Sequence, residues 1–95
     1  MRARSIEKKN RDAIRKREMR LKREYGISVS DYVAMETAQN KRCALCDKFT
    51  KLVVDHNHLT RKVRGLLCHY CNRGLGFFSD NALVLSKAAE YVKRS

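Results

Sequence analysis

The first 25 residues are mostly polar, with a few apolar residues at helical spacing. This segment has no Gly or Pro and is rich in good helix formers. Its apolar positions form at best a narrow stripe along one helix face: Ile6, Ala13, Ile14, Leu21 and Tyr25. Because Gly26 follows a turn with two basic residues, we predict one long helix that ends near Tyr25.

Two apolar, β-branched runs in the middle of the chain predict a pair of strands. A helix precedes them: it begins at Ser28, with Asp31 as a partial capping box, and continues to about Gln39. The strands cover residues 49–54 and 62–67, with a turn-like segment between them.

Two shorter helices are predicted after the strands. The first covers residues 68–75 and is closed by Gly74 or Gly76. The second covers residues 81–92 and offers six apolar residues for packing: Leu83, Val84, Leu85, Ala88, Ala89 and Tyr91. This order of elements predicts a small α+β fold.

The composition limits both the core and the choice of partner. The chain has 95 residues, of which 43% are hydrophobic, so we expect one small domain with a thin core. Its net charge of +12 makes polyanions its natural partners. No apolar run is long enough to span a membrane and the N-terminus has no signal-peptide pattern, so we expect an intracellular protein.

The positive charge is concentrated at the N-terminus. Residues 1–24 hold eleven basic and four acidic side chains, a density that suits the backbone of duplex DNA. Contact between two copies of the chain through the narrow apolar stripe is the alternative use of this helix.

Four cysteines occur as two CxxC pairs, CALC and CHYC, separated by 21 residues. Such pairs suit a tetrahedral thiolate site, because two residues between ligands let a tight turn direct both sulfurs at one ion. Disulfides are the alternative, but they are uncommon in a chain without a secretion signal. We therefore predict a structural zinc ion, held by the four cysteines: Cys43, Cys46, Cys68 and Cys71.

Further polar ligands lie between the cysteine pairs and directly after the second pair. Asp55 and His56 stand in the sequence VVDHNH, and Asn72 follows Cys71. On a helix Asn72 is turned by about 100° from its neighbour, so a zinc-bound Cys71 lets Asn72 face the end of the first strand. Carboxylate and amide oxygens suit Mg²⁺, which makes Asp55 and Asn72 candidate ligands. His56 can accept a proton from an attacking water.

This set poses a geometric difficulty. Adjacent residues on a regular strand point to opposite faces, so Asp55 and His56 can serve one phosphate only if the strand ends, twists or bulges there. His58 would share a face with His56 and is a rival metal ligand. Arg64 and Arg73 flank the site as candidate phosphate contacts, with simple surface solvation as the alternative.

The stretch LVVDHNHLTRKVRGLLCHYCNRGLG, together with the upstream CALC, resembles the recombination endonuclease VII family. This family belongs to the HNH (ββα-metal) nucleases and is common in bacteriophages and prophages. The similarity covers about residues 20–93. The helical pattern predicts a basic N-terminal helix over residues 1–26, and the resemblance implies that a zinc-stabilised ββα-metal nuclease domain with a C-terminal helix follows over residues 27–95.

The resemblance also implies a metal-dependent DNA endonuclease. Asp55 and Asn72 would bind the catalytic divalent metal, Mg²⁺ or Mn²⁺, and His56 would be the general base. His58 would hold the scissile phosphate or support the site. Expected DNA contacts are the arginines near the site and on the first helix: Arg64, Arg73, Arg15, Arg17 and Arg20.

Leu75 marks a departure from some larger members of the family, which carry an acidic residue three positions after the asparagine. Those enzymes also have a C-terminal dimerisation region for which this chain has no room. We therefore expect nicking or cutting of duplex DNA more than resolution of branched DNA, by a monomer or a homodimer, in the host-cell cytoplasm if the chain is phage-encoded. The alternatives are a zinc-stabilised module that binds nucleic acid without cutting, and a factor that nicks only inside a larger phage assembly.

Overall fold

Four helices and a two-stranded sheet make up the protein, which confirms the predicted α+β fold. The structure is a computed structural model that describes residues 2–94, with side chains from residue 8 onward. The elements in chain order are α1 (Arg2–Tyr25), α2 (Val29–Ala38), β1 (Leu52–His56), β2 (Val63–Cys68), α3 (His69–Phe77) and α4 (Ala82–Val92). The molecule is elongated, with extents of 63 × 28 × 23 Å, since α1 alone is about 36 Å long. None of the described helices is long and apolar enough to cross a membrane.

The end of α1 lies where the sequence predicts it. Gly26 has a φ of 70°, a backbone conformation that glycine adopts without a steric penalty, and its N–H donates to the carbonyl of Lys22 at 2.9 Å. One turn earlier, Leu21 is buried in the core. The C-terminal part of α1 therefore packs on the rest of the fold, while the division of the chain at residue 26 stays a prediction.

A complete capping box begins α2. The Ser28 hydroxyl accepts from the N–H of Asp31 at 3.0 Å, and the Asp31 carboxylate accepts from the N–H of Ser28 at 2.9 Å. These bonds from Ser28 to the charged form hold the pKa of Asp31 below its usual value. The sequence prediction of a partial box is thus confirmed and extended.

The two strands are antiparallel and contain one irregularity. Leu52 pairs with Cys68, and the residues after it pair one to one with those of β2 as far as Asp55, which pairs with Gly65. The next residue, His56, pairs with Val63, so one residue of β2 has no partner across the ladder. That residue is Arg64.

The strand bounds correct the sequence prediction. Strand β1 is shifted toward the C-terminus of the predicted run 49–54, so Asp55 and His56 lie inside it and not after it. Phe49 forms only an isolated bridge with Arg42 and is 66% exposed. The β-branched run predicted a strand in the right place, but pairing with β2 sets where the strand begins and ends.

A small core lies between the two-stranded sheet and helices α1, α2 and α3. Its buried apolar residues are Leu21, Tyr32, Cys43, Leu52, Val54, Leu66, Leu67 and Cys68. The Tyr32 hydroxyl donates to the carbonyl of Leu52 at 2.7 Å. The amide of Gln39 donates to the carbonyl of Leu66 at 2.9 Å and accepts from its N–H at 3.0 Å. Helix α2 is therefore joined to both strands by side-chain bonds to their backbones.

The last two helices differ from their predictions. Gly74 and Gly76 both lie inside α3, which ends at Phe77, so the prediction that a glycine closes this helix was wrong. Helix α4 is capped by the side chain of Asn81, which accepts from the N–H of Val84 at 3.0 Å. The predicted packing role of α4 was largely wrong, because only Leu85 and Ala88 of the six residues are half-buried and the other four are exposed.

Candidate active site and metal centre

The four cysteine sulfurs form one cluster. All four Sγ atoms lie within 4.8 Å of one another, and those of Cys46 and Cys68 are 3.7 Å apart. Four sulfurs around a tetrahedral zinc ion, each at about 2.3 Å, are separated from one another by about 3.8 Å. All four cysteines are free thiols. The cluster therefore fits a zinc ion, as the two CxxC pairs predict.

Two backbone turns direct the sulfurs at one point. In the first pair, the N–H of Cys43 donates to the carbonyl of Lys48 and the N–H of Asp47 donates back to the carbonyl of Cys43, at 2.9 and 3.0 Å. In the second pair, Cys68 ends β2 and is also the N-cap of α3, where its sulfur accepts from the N–H of Cys71 at 3.4 Å. A metal ion on Cys68 and Cys71 would thus hold α3 against the sheet.

Two of the four thiols have pKa values far from that of an ordinary cysteine. Burial acts to raise the pKa of Cys43, but backbone N–H groups that donate to its sulfur outweigh this and lower it to about 6. Burial, followed by contact with the other three thiols, raises the pKa of Cys71 to about 12. The Cys43 thiolate therefore forms readily, whereas the Cys71 thiolate needs a nearby positive charge. A dication supplies that charge, which is the chemistry of a structural zinc site.

The bulge in β2 places Arg64 against Asp55. Asp55 is only 7% exposed. The Arg64 guanidinium donates from Nε to Oδ2 at 2.8 Å and from Nη2 to Oδ1 at 3.1 Å, so both carboxylate oxygens are bound. An open depression of about 190 Å³ beside this pair is also lined by Leu45 and Leu75. The carboxylate predicted to bind a metal is thus at the surface of a small pocket, paired with a cation.

The two histidines of the motif lie side by side at the end of β1. Their rings are 4.8 Å apart, which confirms that His56 and His58 share one side of the chain. Between them, the Asn57 side chain accepts from the N–H groups of Leu59 and Thr60 at 2.8 and 3.0 Å, and so builds the turn to β2. In the described part of the chain, neither imidazole forms a hydrogen bond. Both rings are therefore available to a water or a phosphate.

Asp80 is a member of this site that the sequence analysis missed. It lies in the turn between α3 and α4, where its two carboxylate oxygens accept from Nη1 and Nη2 of Arg64 at 2.9 and 2.8 Å. The bond from Arg64, and then the nearby charges of Arg64, His58 and His56, lower the pKa of Asp80 although partial burial opposes this. The sequence Ser79-Asp80-Asn81 gave only the signal of a turn before a helix, and no local spacing connects Asp80 to the motif.

A model of the recombination endonuclease VII family matches residues 18–94. The chain belongs to the recombination endonuclease VII family. Two curated relatives are each named Gene 59 protein: one from Mycobacterium phage D29, 39% identical over 82 residues, and one from Mycobacterium phage L5, 39% identical over 80 residues. These alignments cover 81% and 79% of this chain but 50% and 49% of the relatives. The chain thus spans about half the length of the curated relatives it matches, and no solved structure matches it.

The asparagine of the endonuclease VII motif lies on the first turn of α3. Asn72 is half-buried, and helix α3 packs against both strands. Its side-chain amide makes no hydrogen bond among the described residues, so its oxygen is available as a ligand. The next residue, Arg73, is exposed, with its guanidinium 3.4 Å from Nε2 of His69 and 6.0 Å from the ring centroid of Phe77.

A basic groove of about 790 Å³ lies between α1, α2 and β1. Its lining holds three cations, Arg17, Arg20 and Lys51, and two carboxylates, Glu24 and Glu36, so its net charge is +1 (3 − 2). The guanidinium of Arg17 also lies 4.9 Å from the centroid of the Tyr32 ring. Arg15 is exposed on the same helix. Two of the three predicted DNA contacts on α1 thus line one groove, and the role of all three stays a prediction.

Proposed function

We propose that this chain is an HNH endonuclease that hydrolyses phosphodiester bonds in DNA and nicks or cuts duplex or branched substrates. The observation that carries the proposal is that Asp55, His56 and His58 follow closely at the bulged end of a hairpin whose other end carries Cys68 of the cysteine cluster, in a chain of the endonuclease VII family. The basic groove and the net charge of +12 support DNA as the substrate. The phage relatives support a role in the cytoplasm of an infected host cell.

In this proposal His56 is the general base. Its unbonded ring accepts a proton from a water that attacks the phosphorus, and the products carry a 5′-phosphate and a 3′-hydroxyl. His58, 4.8 Å away, donates to an oxygen of the scissile phosphate. The bulge of β2 lies opposite the step from Asp55 to His56, and the stronger twist that a bulge gives supports the proposal that both side chains serve one phosphate.

Asp55 and Asn72 are the proposed ligands of a Mg²⁺ or Mn²⁺ ion. In the described part of the chain, the only cluster of three or more Cys, His, Asp or Glu ligand atoms is that of the cysteines. One carboxylate, one amide oxygen and several waters suit Mg²⁺, which usually keeps much of its water in proteins. Such an ion would stabilise negative charge on the phosphate and on the leaving oxygen. Arg73 and the α1 arginines, among them Arg15, would bind the DNA backbone.

The experiment that tests the proposal is cleavage of a supercoiled plasmid with Mg²⁺ by the wild type, His56→Ala and His69→Ala. His69 is the third histidine of the chain; it is exposed and contacts Arg73 at 3.4 Å, but the proposal gives its ring no part in the chemistry, so it provides a control for the loss of an imidazole. We expect His56→Ala to lose about 10²- to 10⁴-fold in rate, the usual contribution of a general base, with zinc content unchanged. Equal cutting by the wild type and His56→Ala would contradict the assignment of the base.

A non-catalytic nucleic-acid-binding module is the second candidate, because the basic groove and the zinc cluster serve binding as well as cleavage. The same experiment separates the two. A plasmid that is shifted on a native gel by all three proteins, yet is cut by none of them in Mg²⁺ or Mn²⁺, would favour the binding module.

A further inference from the structure

Arg64 forms a bridge between two carboxylates that come from different parts of the chain. Asp55 belongs to β1, and Asp80 belongs to the turn before α4. The four hydrogen bonds from the guanidinium to these two groups are between 2.8 and 3.1 Å long. They use four of the five N–H donors of the arginine. At most one N–H is left for DNA, so in this arrangement Arg64 is mainly a partner of the two carboxylates.

The turn that carries Asp80 has an unusual backbone. Ser79 and Asp80 have φ values of 52° and 56°, both in the left-handed region. For residues other than glycine this conformation has a steric cost, and such positions persist where the surroundings require them. Two backbone bonds hold the turn: Ser79 N–H to the Gly76 carbonyl at 2.9 Å, and Asp80 N–H to the Leu75 carbonyl at 2.8 Å. The backbone of α3 thereby sets the Asp80 carboxylate beside Arg64.

Because Asp55 is nearly buried, its carboxylate depends on the bridge that Arg64 forms with Asp80. The side chain of Asp55 is 9% exposed, that of Asp80 is 20% exposed and that of Arg64 is 36% exposed. A nearly buried carboxylate needs a fixed partner, because a charge without one is costly there. A guanidinium that binds only one carboxylate can change rotamer. A guanidinium that binds two carboxylates, one on each of two edges, keeps its plane fixed. The three groups together carry one net negative charge, which still attracts a cation.

We propose that Asp80 is a positioning residue: it acts through Arg64 to hold the Asp55 carboxylate in the orientation that binds the divalent ion. The inference rests on the proposed metal site and adds a residue to it. Asp80 lies outside the DHNH and CN motifs, and its connection to them exists only in the folded chain.

The test measures Mn²⁺ binding to the zinc-loaded chain of 95 residues by titration calorimetry, so it does not depend on cleavage. Asp80→Asn removes the charge but keeps a residue that tolerates the left-handed backbone. The charge-matched control is Asp12→Asn, since Asp12 is exposed on α1 and lies outside both the proposed metal site and the cysteine turns. We expect Asp80→Asn to raise the Mn²⁺ dissociation constant about tenfold, as loss of a group that orients a ligand usually does, and Asp12→Asn to leave it within about twofold.

A double-mutant cycle shows whether Asp80 acts through Arg64. In an Arg64→Gln background, Asp80→Asn should have almost no further effect. If that variant does not fold, Arg64→Lys takes its place, because lysine keeps the charge but lacks the planar fork of donors. An undiminished effect of Asp80→Asn in this background would overturn the proposal, since Asp80 would then act on the ion directly.

Two further outcomes are distinguishable. If the wild type binds Mn²⁺ and Asp80→Asn binds it equally well, the positioning role is overturned and the proposed nuclease is untouched. If the wild type binds no Mn²⁺ and cuts no DNA, the proposed metal site itself is overturned, and this inference with it.

Discussion

The ring of Tyr25, the last residue of α1, lies 5.6 Å from the ring of His56, the last residue of β1. The two planes are tilted by 58°. The basic helix therefore ends in contact with His56, the residue that we propose as the general base. This contact joins the proposed DNA-binding element to the proposed chemistry, and its removal separates the two.

We expect Tyr25→Ala to slow DNA cleavage by up to about tenfold, since aromatic pairs contribute about 0.5–1.5 kcal/mol. The loss should appear mainly in kcat, because the ring contacts the proposed general base, with a smaller change in KM, because Tyr25 also lines the basic groove. Tyr25→Phe keeps the ring and should cut at nearly the wild-type rate. Single-turnover cleavage by the three proteins is the measurement. Equal losses in both variants would assign the effect to the Tyr25 hydroxyl instead.

Removal of the cysteine-bound metal should unfold the sheet and α3. Structural zinc sites contribute about 10–16 kcal/mol, more than the 5–15 kcal/mol that a typical domain has in total. We expect EDTA, or Cys46→Ser, to abolish the cooperative thermal transition followed by circular dichroism. Added Zn²⁺ should restore it after EDTA and Mg²⁺ should not. Cys46→His, which keeps a zinc ligand, serves as the control, and a cooperative transition in metal-free protein would contradict this prediction.

Loss of the Gln39 side chain should destabilise the protein by about 1–3 kcal/mol, the usual cost of a buried polar group without a partner. The N–H of Leu66, a residue with 0% exposure, loses its acceptor in Gln39→Met, a variant of similar length. Gln39→Glu keeps an acceptor for this N–H but loses the donor to the Leu66 carbonyl. Urea denaturation of the zinc-loaded variants should show Gln39→Met below the wild type, and an unchanged midpoint would mean that water replaces the side chain.

Neutral substitutions on α1 should reduce the salt dependence of DNA binding. Each lost phosphate contact lowers the slope of log K against log salt by about 0.9. We expect this from Arg15→Gln and Arg20→Gln, with Lys87→Gln on α4 as the charge-matched control. Arg17→Gln should in addition lower stability by about 0.5–1 kcal/mol, because Arg17 stacks on Tyr32. Filter binding at several salt concentrations is the measurement, and equal slopes for all variants would place the DNA elsewhere.

The features predicted correctly from the sequence depend on short spacings. The end of α1 at Gly26, the capping box at Ser28 and the cysteine cluster each follow from residues a few positions apart or from two copies of one motif. The physical causes in these cases are local: a left-handed glycine, a reciprocal pair of hydrogen bonds, and a turn that directs two sulfurs at one ion.

The features that were missed depend on pairing between distant residues. The bulge at Arg64 comes from the register of two strands, and the partnership of Arg64 with Asp80 joins β2 to a turn 16 residues away. An apolar pattern also predicts that a helix has an apolar face, but it does not identify the residues that cover this face. For this reason the predicted packing of α4 was largely wrong, although its bounds were nearly right.

Cys43 and Cys68 are two of the eight buried apolar residues of the core, and they also carry two of the four sulfurs of the cluster. The same atoms thus serve in the core and in ion binding, and the two equilibria are linked. For an ion that binds only the folded chain, each tenfold change in its free concentration changes the unfolding free energy by about 1.4 kcal/mol. The melting temperature of this protein therefore depends on the free zinc concentration, and a measured value can be interpreted only when that concentration is stated with it.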